Sequence, residues 1–398
     1  MEWKELQTLV KRKIGYGIVQ PGPSVPKGVP IIKVNNIISG LYDTKHLDKT
    51  TVENDAKYQR TKLKGGELII TVVGTCGKTA IVPIHFAGCN LVRATCLIDI
   101  EDETICKWIK YYIDSPHGQA YINRNLNTTV QATLNVKSLN EMPIPFYSDE
   151  YTSNVVNILS SLDRKIELNN KINADLEEMA QAIFKNWFVD FEPFKDGKFV
   201  DSELGMIPEG WKVGTLGDIT NNKSTKVKER NDVKVLSPVT SGELVLSEEY
   251  FTKQVFSSSI AKYKIVNKGD FAYNPARVNI GSIGRNEFDF DGCVSPVYVV
   301  FSVLDGYENY FDLFRKTDFF KDSVASLAIG GVRQSLSYDD LSLIETIIPS
   351  KNIVEKFNNL FNQMKKTIKA NKLENSRLST LRDTLLPRLI SGEIEVPE

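Results

Sequence analysis

The sequence predicts an α+β protein in which an internal repeat gives two similar mixed α/β domains, separated by an antiparallel pair of long helices. Three observations support this prediction. The chain has 398 residues, which is too long for one typical hydrophobic core and suits two domains. Similar short segments recur 202 residues apart, and each half ends in a long segment with helical periodicity.

The repeat rests on matches that occur in the same order along nearly the whole chain. Residues 128–134 align with residues 330–336 at an offset of 202 residues. The same offset pairs Leu139 with Leu341, Ile166 with Ile368, Asn169 with Asn371 and Leu176 with Leu378. Residues 56–58 also match residues 261–263, and Trp3-Lys4 matches Trp211-Lys212. Two unrelated domains with chance matches are the alternative.

Each half begins with short apolar runs that are broken by glycine, proline and asparagine, a pattern typical of strands. Residues 67–73 and 294–301 are two such runs. Pro193 and the glycines after it are expected to end the first long helix and to form a linker. We therefore predict four parts, a first domain over residues 1–147, a long helix within 148–192, a linker and second domain over 193–349, and a second long helix within 350–398.

Both long segments have the heptad spacing of a coiled coil. In the first, one predicted row runs through every seventh residue from Val155, and a second row starts three residues later at Ile158. Acidic residues outnumber basic ones in 149–190, and the reverse holds in 350–391, so opposite charges favour their pairing. Asn169 and Asn371 fall near the helix midpoints, where a buried asparagine pair would fix an antiparallel register. Asparagines that face solvent are the alternative.

Composition restricts the classes of function. No apolar run approaches the ~20 residues that span a bilayer, and the first residues are charged, so we expect a cytoplasmic protein with no membrane role. The five cysteines lack the close pairs that zinc and redox sites need, so we expect buried thiols and no metal. The net charge of −1 gives little attraction for nucleic acid, but residues 1–100 hold 14 Lys and Arg against 8 Asp and Glu.

Three segments resemble parts of the type I restriction-modification specificity subunits. Residues 205–212 (GMIPEGWK) resemble the segment that opens the second target-recognition domain of that family. Residues 182–191 (AIFKNWFVDF) resemble the end of its central conserved helix, and residues 381–394 (LRDTLLPRLISGEI) resemble its C-terminal conserved helix. With the repeat, the resemblance covers essentially the whole chain.

The resemblance implies a non-catalytic subunit that supplies DNA sequence specificity to a methylation and restriction complex. Each target-recognition domain would read one half of a bipartite double-stranded DNA target, and the helices would set the unread spacer. The helices would also dock two adenine-N6 methyltransferase (modification) subunits, through which restriction (translocase) subunits join. No cofactor is expected on this chain, because S-adenosylmethionine would bind to the methyltransferase. A coiled-coil scaffold or adaptor without DNA binding is the alternative.

Enzyme motifs are incomplete in this sequence, so we expect no catalytic residue. Residues 274–277 (NPAR) lack the last two residues of an amino-methyltransferase loop. Residues 74–79 (GTCGKT) follow Val72, where a phosphate-binding loop needs glycine, so a turn between strands explains them better. The three histidines belong to no metal or nucleophile motif. An enzyme fragment with methyl-transfer or cleavage activity is a second alternative.

Candidate DNA contacts are basic and amide side chains beside predicted loops, because phosphates attract Lys and Arg while base edges suit Arg, Asn and Gln. In the first domain we select Lys33, Asn35, Asn36, Arg60, Lys78 and Arg93. In the second domain we select Lys223, Lys226, Arg277, Asn279, Arg285, Arg333 and Gln334. Arg277 and Arg285 rank first because they flank a loop containing Gly281, which permits close approach to DNA. Each of these residues could instead be a solvated surface group.

Overall fold

A computed structural model of the chain describes residues 1–41, 44–128, 131–251, 253, 256–327 and 335–396. It divides into two compact units, Met1–Asn170 with Asn371–Glu398, and Lys171–Ala370. Strands and helices alternate in both units, and two long helices follow the mixed segments, which confirms the predicted fold class. The predicted domain boundaries stay a prediction. No helix among the described residues combines the length and apolar character that a membrane crossing requires.

The first unit is built on a four-stranded antiparallel sheet. The strands lie in the order Gly15–Tyr16, Thr95–Ile98, Leu68–Thr71 and Thr79–Ile81. A three-stranded sheet has the order Lys49–Thr50, Val29–Ile32 and Asn90–Leu91, with the last two strands parallel. Two further ladders pair Glu2–Glu5 with Pro143–Phe146 and Leu126–Asn127 with Thr133–Leu134. The short α-helices are Val34–Ser39, Val52–Ala56, Glu103–Asp114, Pro116–Arg124 and Val136–Asn140.

The second unit contains the same kinds of sheet. Its four-stranded antiparallel sheet has the order Thr220–Lys223, Val299–Val303, Phe271–Tyr273 and Ile283–Arg285. A second sheet has the order Leu244–Leu246, Lys234–Pro238, Gly292–Val294 and Lys264–Val266, with the middle two strands parallel. Two ladders pair Lys212–Thr215 with Glu345–Ile348 and Phe199–Val200 with Ile207–Pro208. The short α-helices are Ser247–Tyr250, Glu308–Phe314, Asp318–Leu327 and Tyr338–Ser342.

The two units share one topology, which confirms the internal repeat. In both four-stranded sheets, the strands that come first, fourth, second and third along the chain lie side by side in that order. The indole N–H of Trp108 donates to the carbonyl of Pro145 at 2.7 Å. The hydroxyl of Tyr310 donates to the carbonyl of Ile347 at 2.6 Å, and both of its residues lie 202 positions further along. Equivalent side chains therefore make equivalent bonds in the two units.

At the first strand of each unit the structural offset is larger than the sequence matches suggest. The backbone N–H of Leu6 donates to the carbonyl of Met142, and that of Leu216 donates to the carbonyl of Ile344. Leu6 and Leu216 are therefore equivalent, at an offset of 210 residues. The match of Trp3-Lys4 with Trp211-Lys212 is out of register by two residues, which keeps the same face of the strand.

The long helices are Asp149–Phe188, which we call the central helix, and Lys351–Ile390, which we call the C-terminal helix. Both bounds of the second lie 202 residues after those of the first. In the first unit, the hydroxyl of Tyr151 near the start of the central helix donates to the carbonyl of Leu389 near the end of the C-terminal helix, at 2.8 Å. In the second unit, Phe184 near the end of the central helix contacts Phe357, with ring centroids 6.1 Å apart. This pattern is antiparallel.

One of the two predicted heptad rows is wrong by one residue. The row through Val155 and Asn169 is buried or partly buried, as predicted. The second buried row lies four residues after the first, through Leu159 and Asn173, whereas Met179 in the predicted row is 52% exposed. In a coiled coil the spacing between successive buried residues alternates between three and four. Because some apolar side chains lie on the exposed face, the sequence pattern fitted a first spacing of three residues, whereas the structure has four.

Aromatic side chains dominate the core of the second unit, where Phe271, Phe301 and Phe311 are fully buried and in mutual contact. The apolar run 294–301, which we expected to be one strand, is divided between Gly292–Val294 and Val299–Val303. The turn between them contains Pro296, which has no N–H to donate to a ladder.

Candidate nucleic-acid interface

In the first unit, two loops meet at one edge of the four-stranded sheet. Strand Leu68–Thr71 ends opposite Thr95, where the antiparallel strand Thr95–Ile98 begins. The loop that follows the first strand, residues 72–78, and the loop that precedes the second, residues 92–94, therefore lie at the same end of the sheet. We call these two loops the loop edge of the first unit.

Lys78 and Arg93 extend from this loop edge with fixed backbones and unpaired charges. The backbone N–H of Lys78 donates to the Thr71 hydroxyl at 2.9 Å, and that of Arg93 donates to the Ile18 carbonyl at 2.8 Å. Both side chains are exposed, and within the described part of the chain neither cationic group has a hydrogen-bond or ion-pair partner. Such cations can meet phosphate without first breaking an internal bond.

Lys33, Asn35 and Asn36 lie close to the same edge. Strand Val29–Ile32 runs parallel to Asn90–Leu91, so the residues that follow both strands lie at the same end. Lys33 and Asn35 are exposed, whereas Asn36 is partly buried. The side chain of Asn36 accepts a hydrogen bond from the backbone N–H of Lys33 at 2.7 Å and so caps the helix Val34–Ser39. Among these three side chains, only that of Asn35 has no hydrogen-bond or ion-pair partner within the described residues.

The ammonium of Lys33 is already engaged by an acidic partner. It forms an ion pair with Asp48, and this hydrogen bond, helped by one from Ser24, lowers the pKa of the Asp48 carboxyl. Both side chains are about half exposed, so the pair contributes little stability and could be exchanged for a phosphate contact.

Arg60 lies on a different part of the first unit. It is exposed in the short 3-10 helix Gln59–Thr61, and its guanidinium passes Gly15 so closely that a methyl group there would come within 2.9 Å of Nη2. Gly15 pairs with Leu97, which lies two residues beyond Thr95 and therefore further from the loop edge. Arg60 therefore stands apart from Lys78.

The second unit has an equivalent loop edge. Strand Phe271–Tyr273 ends opposite Val299, so residues 274–282 and 295–298 lie at one end of the sheet. Residues 224–226 join them, because Lys223 at the end of its own strand is paired with Val300. We call these three segments the loop edge of the second unit.

Lys226, Arg277 and Asn279 occupy this edge and are all exposed. No described residue forms a side-chain ion pair with Lys226 or Arg277. The backbone N–H of Arg277 donates to the carbonyl of Asn274 at 2.9 Å, which holds the loop in a tight turn. The short 3-10 helix Val278–Ile280 follows and ends at Gly281, which has a φ of 92°. A Cβ on Gly281 would lie 2.8 Å from the Thr240 carbonyl, so only glycine fits.

Lys223 and Arg285 have structural partners instead. The ammonium of Lys223 binds both carboxylate oxygens of buried Asp270, at 2.8 and 3.0 Å. Arg285 lies at the opposite end of the sheet from the loop edge, where its guanidinium donates to Asn309 at 2.9 Å and stacks on the Phe271 ring. The structure therefore separates Arg285 from Arg277, although the sequence places both beside one glycine-containing loop.

The pair of Lys223 with Asp270 has a counterpart that the sequence analysis did not find. In the first unit, Arg12 donates to the buried carboxylate of Glu67 at 2.9 Å. The carboxylates occupy equivalent places just before the second strand of each four-stranded sheet. A cation that recurs with a buried carboxylate in both units has a structural role, because an unpaired buried charge is costly.

Arg333 and Gln334 lie outside the described residues. The repeat offers a substitute that sequence reasoning missed, because Gln131 is the residue 202 positions before Arg333. Its side-chain amide approaches Gly74 in the loop edge of the first unit, where a Cβ on the glycine would lie 3.1 Å from Nε2. An amide in that place suits the hydrogen-bonding edge of adenine.

Asn169, one of the two predicted register residues, is buried between the long helices. Its side-chain amide donates to Glu374 Oε2 at 2.7 Å and to Asn375 Oδ1 at 2.9 Å. Asn371 is partly buried one helical turn before Asn375. Pairing of Asn169 with Asn371 stays a prediction, whereas a polar layer around Asn169 is observed.

The segments that we tested for enzymatic chemistry are loops of the two sheets. Residues 74–79 connect the antiparallel strands Leu68–Thr71 and Thr79–Ile81, as a turn between strands should. Residues 274–277 form the equivalent loop of the second unit. Four of the five cysteines are buried, and burial raises the pKa of the Cys96 thiol to about 12. No group of three His, Cys, Asp or Glu side chains suited to a metal ion occurs in the described ranges.

Comparison with known proteins identifies similar sequences. A family model described as the type I restriction modification DNA specificity domain matches residues 22–178. The type I restriction enzyme MjaIX specificity subunit of Methanocaldococcus jannaschii is 30% identical over 310 residues, which cover 75% of this chain and 71% of that protein. The EcoBI specificity subunit of Escherichia coli is 30% identical over 197 residues, or 47% of this chain and 41% of that protein.

A solved structure has a similar fold. The crystal structure of the type I restriction-modification system S subunit from M. genitalium superposes with a TM-score of 0.55, at 15% sequence identity. The superposition covers 98% of this chain and 95% of that one. At this identity the likeness concerns the fold alone.

Proposed function

The chain belongs to the family of type I restriction-modification specificity subunits, and on this premise we propose that each unit reads double-stranded DNA with its loop edge. The family assignment rests on the MjaIX relative and on the matching specificity-domain model. It gives no support to the alternative of a coiled-coil adaptor without DNA binding. The assignment to individual residues is our own inference from the structure.

The observation that carries this proposal is that both loop edges hold cations without ion-pair partners among the described residues, with Lys78 and Arg277 in equivalent loops and Arg93 and Lys226 in loops that are not equivalent. Lys78 and Arg93 extend from one loop edge, and Lys226 and Arg277 extend from the other. Elsewhere, cations such as Arg12 and Lys223 are neutralised by buried carboxylates. A surface that carries such cations beside amides such as Asn35 and Asn279 suits phosphates and base edges together.

We further propose that the chain is a non-catalytic subunit of a larger complex. Two adenine-N6 methyltransferase subunits would dock on it, and restriction subunits would join through them in the cytoplasm. The methyltransferase would hold S-adenosylmethionine, and this chain would supply only the choice of sequence. In the same proposal, each loop edge reads one half of a bipartite target and the two 40-residue helices set the number of unread base pairs.

The decisive experiment compares substitutions at the loop edge with substitutions at the opposite end of the same sheet. Lys64 and Lys268 are repeat-related exposed lysines in the turns that precede strands Leu68–Thr71 and Phe271–Tyr273. Each variant is combined with the partner methyltransferase, and the affinity for target DNA is measured at several salt concentrations. Lys78→Ala should weaken binding and reduce the salt dependence by about one phosphate contact, whereas Lys64→Ala should change neither. Equal effects of the two substitutions would contradict the proposed interface.

A further inference from the structure

The repeat places two ion pairs of opposite polarity at the same structural position. Trp108 and Tyr310 are equivalent, so two residues later Lys110 is equivalent to Asp312. On the long helices, whose bounds differ by the same 202 residues, Asp163 is equivalent to Lys365. The cation is on the globular part of one unit and on the helix of the other.

The distances show that both equivalent pairs are in contact range. In the first unit, Lys110 Nζ lies 3.9 Å from Asp163 Oδ2. In the second unit, Lys365 Nζ lies 4.0 Å from Asp312 Oδ2. At most 28% of any of these four side chains is exposed, so water and salt screen the pairs less than they screen pairs on an open surface.

Neighbouring groups follow the polarity of each pair. In the first unit, Asp163 also accepts hydrogen bonds from Tyr111 and Arg382, each at 2.8 Å, while Asp114 holds Lys110 at 2.9 Å. These contacts join the globular part of the unit to both long helices. Two basic and two acidic groups meet there, so the site is balanced.

In the second unit, the same balance is reached with the signs exchanged. Arg315 donates to Asp312 at 2.6 and 3.0 Å, and Glu287 forms an ion pair with Lys365. The position equivalent to Arg382 is occupied by Ala180, which is buried. An arginine at position 180 would repel Lys365. The uncharged alanine therefore fits the reversed polarity of the ion pair in the second unit.

We propose that these reversed ion pairs assign each globular head to its own long helix. We define the first head as residues 1–147 and the second as residues 193–349. Each head runs directly into its own helix, since strand Pro143–Phe146 is followed by the helix from Asp149 and strand Glu345–Ile348 by the helix from Lys351. The heads share one topology, so the ion pairs decide which kind of head each helix accepts at that place. Docking on the wrong helix brings Lys110 to Lys365, or Asp312 to Asp163, at about 4 Å, and like charges at a partly buried contact oppose association. Charge therefore supplies the discrimination that the shared fold cannot.

The test exchanges a head within the full chain. In the exchanged chain, residues 211–349 replace residues 1–147, so that the equivalent of Asp312 faces Asp163. Asp163→Lys with Arg382→Ala gives the first unit the helix residues of the second. We expect this double substitution to raise the melting temperature of the exchanged chain by about 3 °C or more, and to lower that of the native chain by a similar amount. A general effect on stability cannot have opposite signs in the two backgrounds.

Glu167→Lys with Arg377→Ala is the matched control, because it makes the same two changes of charge at exposed positions of the same helices. It should shift the melting temperature in the same direction in both backgrounds. The proposal is overturned if Asp163→Lys with Arg382→Ala shifts both backgrounds alike, or if the control reproduces the opposite signs.

A second measurement decides the question if the exchanged chain does not fold. In the native chain, Lys110→Met and Asp163→Asn are made singly and together, and the unfolding equilibrium constant is measured by urea denaturation. We expect the loss in the double variant to be smaller than the product of the single losses by about threefold or more, as for directly coupled residues. A smaller departure overturns the proposal. Neither measurement involves DNA, so failure here leaves the proposed function untouched.

Discussion

The ammonium of Lys223 donates hydrogen bonds to both carboxylate oxygens of Asp270, whose side chain is almost wholly buried. Lys223→Met should therefore lower the free energy of unfolding of the second unit by about 1–3 kcal/mol, because removal of one partner leaves a buried charge uncompensated. Urea denaturation measures the loss. DNA affinity should be unchanged under conditions where the variant is folded. An unchanged stability together with weaker DNA binding would indicate that Lys223 contacts DNA and has no structural role.

Arg277→Ala should weaken specific DNA binding by about 1–3 kcal/mol, since its guanidinium is exposed and has no ion-pair partner among the described residues. Binding titrations with the methyltransferase present measure this change. The control is Lys268→Ala, because Lys268 lies in the turn before strand Phe271–Tyr273 and its exposed ion pair with Asp289 contributes little. An unchanged affinity and footprint for the Arg277 variant would remove this residue from the site.

Asn169→Ala should destabilise the chain by about 1–2 kcal/mol, because it leaves Glu374 and Asn375 without the amide that bonds them. Asn157→Ala, on the exposed face of the same helix, controls for the general effect of the substitution. Thermal and urea unfolding of both variants provide the comparison. Equal stabilities would mean that the polar layer around Asn169 contributes nothing to the pairing of the helices.

Acid should selectively weaken the contact made by Asp312. Burial alone would raise the pKa of this carboxyl, but the charges of Arg315, Lys316 and Lys365 overcome it and lower the pKa from 3.8 to about 2. In the unfolded chain the carboxyl has its ordinary pKa. Its stabilising contribution is therefore complete above about pH 4 and is lost as the pH falls towards 2.

Asp312→Asn removes this dependence, so its free energy of unfolding should fall less steeply than that of the native protein between pH 5 and the lowest pH at which both fold. Asp305→Asn, an exposed aspartate in the same unit, is the control and should follow the native slope. Parallel slopes for the Asp312 variant and the native protein would contradict the lowered pKa.

Periodic features of the fold could be predicted from the sequence, and partner-dependent features could not. The long helices and the repeat appear in the sequence as residues that recur at a fixed spacing, so their positions could be predicted from that spacing. The second heptad row failed because Met179 is apolar but exposed, and spacing alone does not show which face of the helix is covered. Pro296 carried a usable signal, since its missing N–H divides the apolar run 294–301.

In the candidate site too, features that depend on a distant partner could not be predicted from the sequence. Lys223 and Lys226 are both lysines near the end of one strand, yet only Lys223 meets a buried carboxylate, 47 positions away in the chain. Nothing local in the sequence distinguishes them. Gln131 could have been found, because the repeat relates it to Arg333, which had been selected in the second half.

The unpaired cations of the two loop edges bear on how this protein should behave on ion-exchange resins. A sequence isoelectric point near 6.4 predicts that the protein does not bind to negatively charged resins at neutral pH. Because Lys78, Arg93, Lys226 and Arg277 are concentrated at the strand ends rather than spread evenly, retention on heparin should follow these local clusters and not the whole-molecule charge. Elution at moderate salt, from a protein that also binds an anion exchanger, is the chromatographic signature of that uneven distribution.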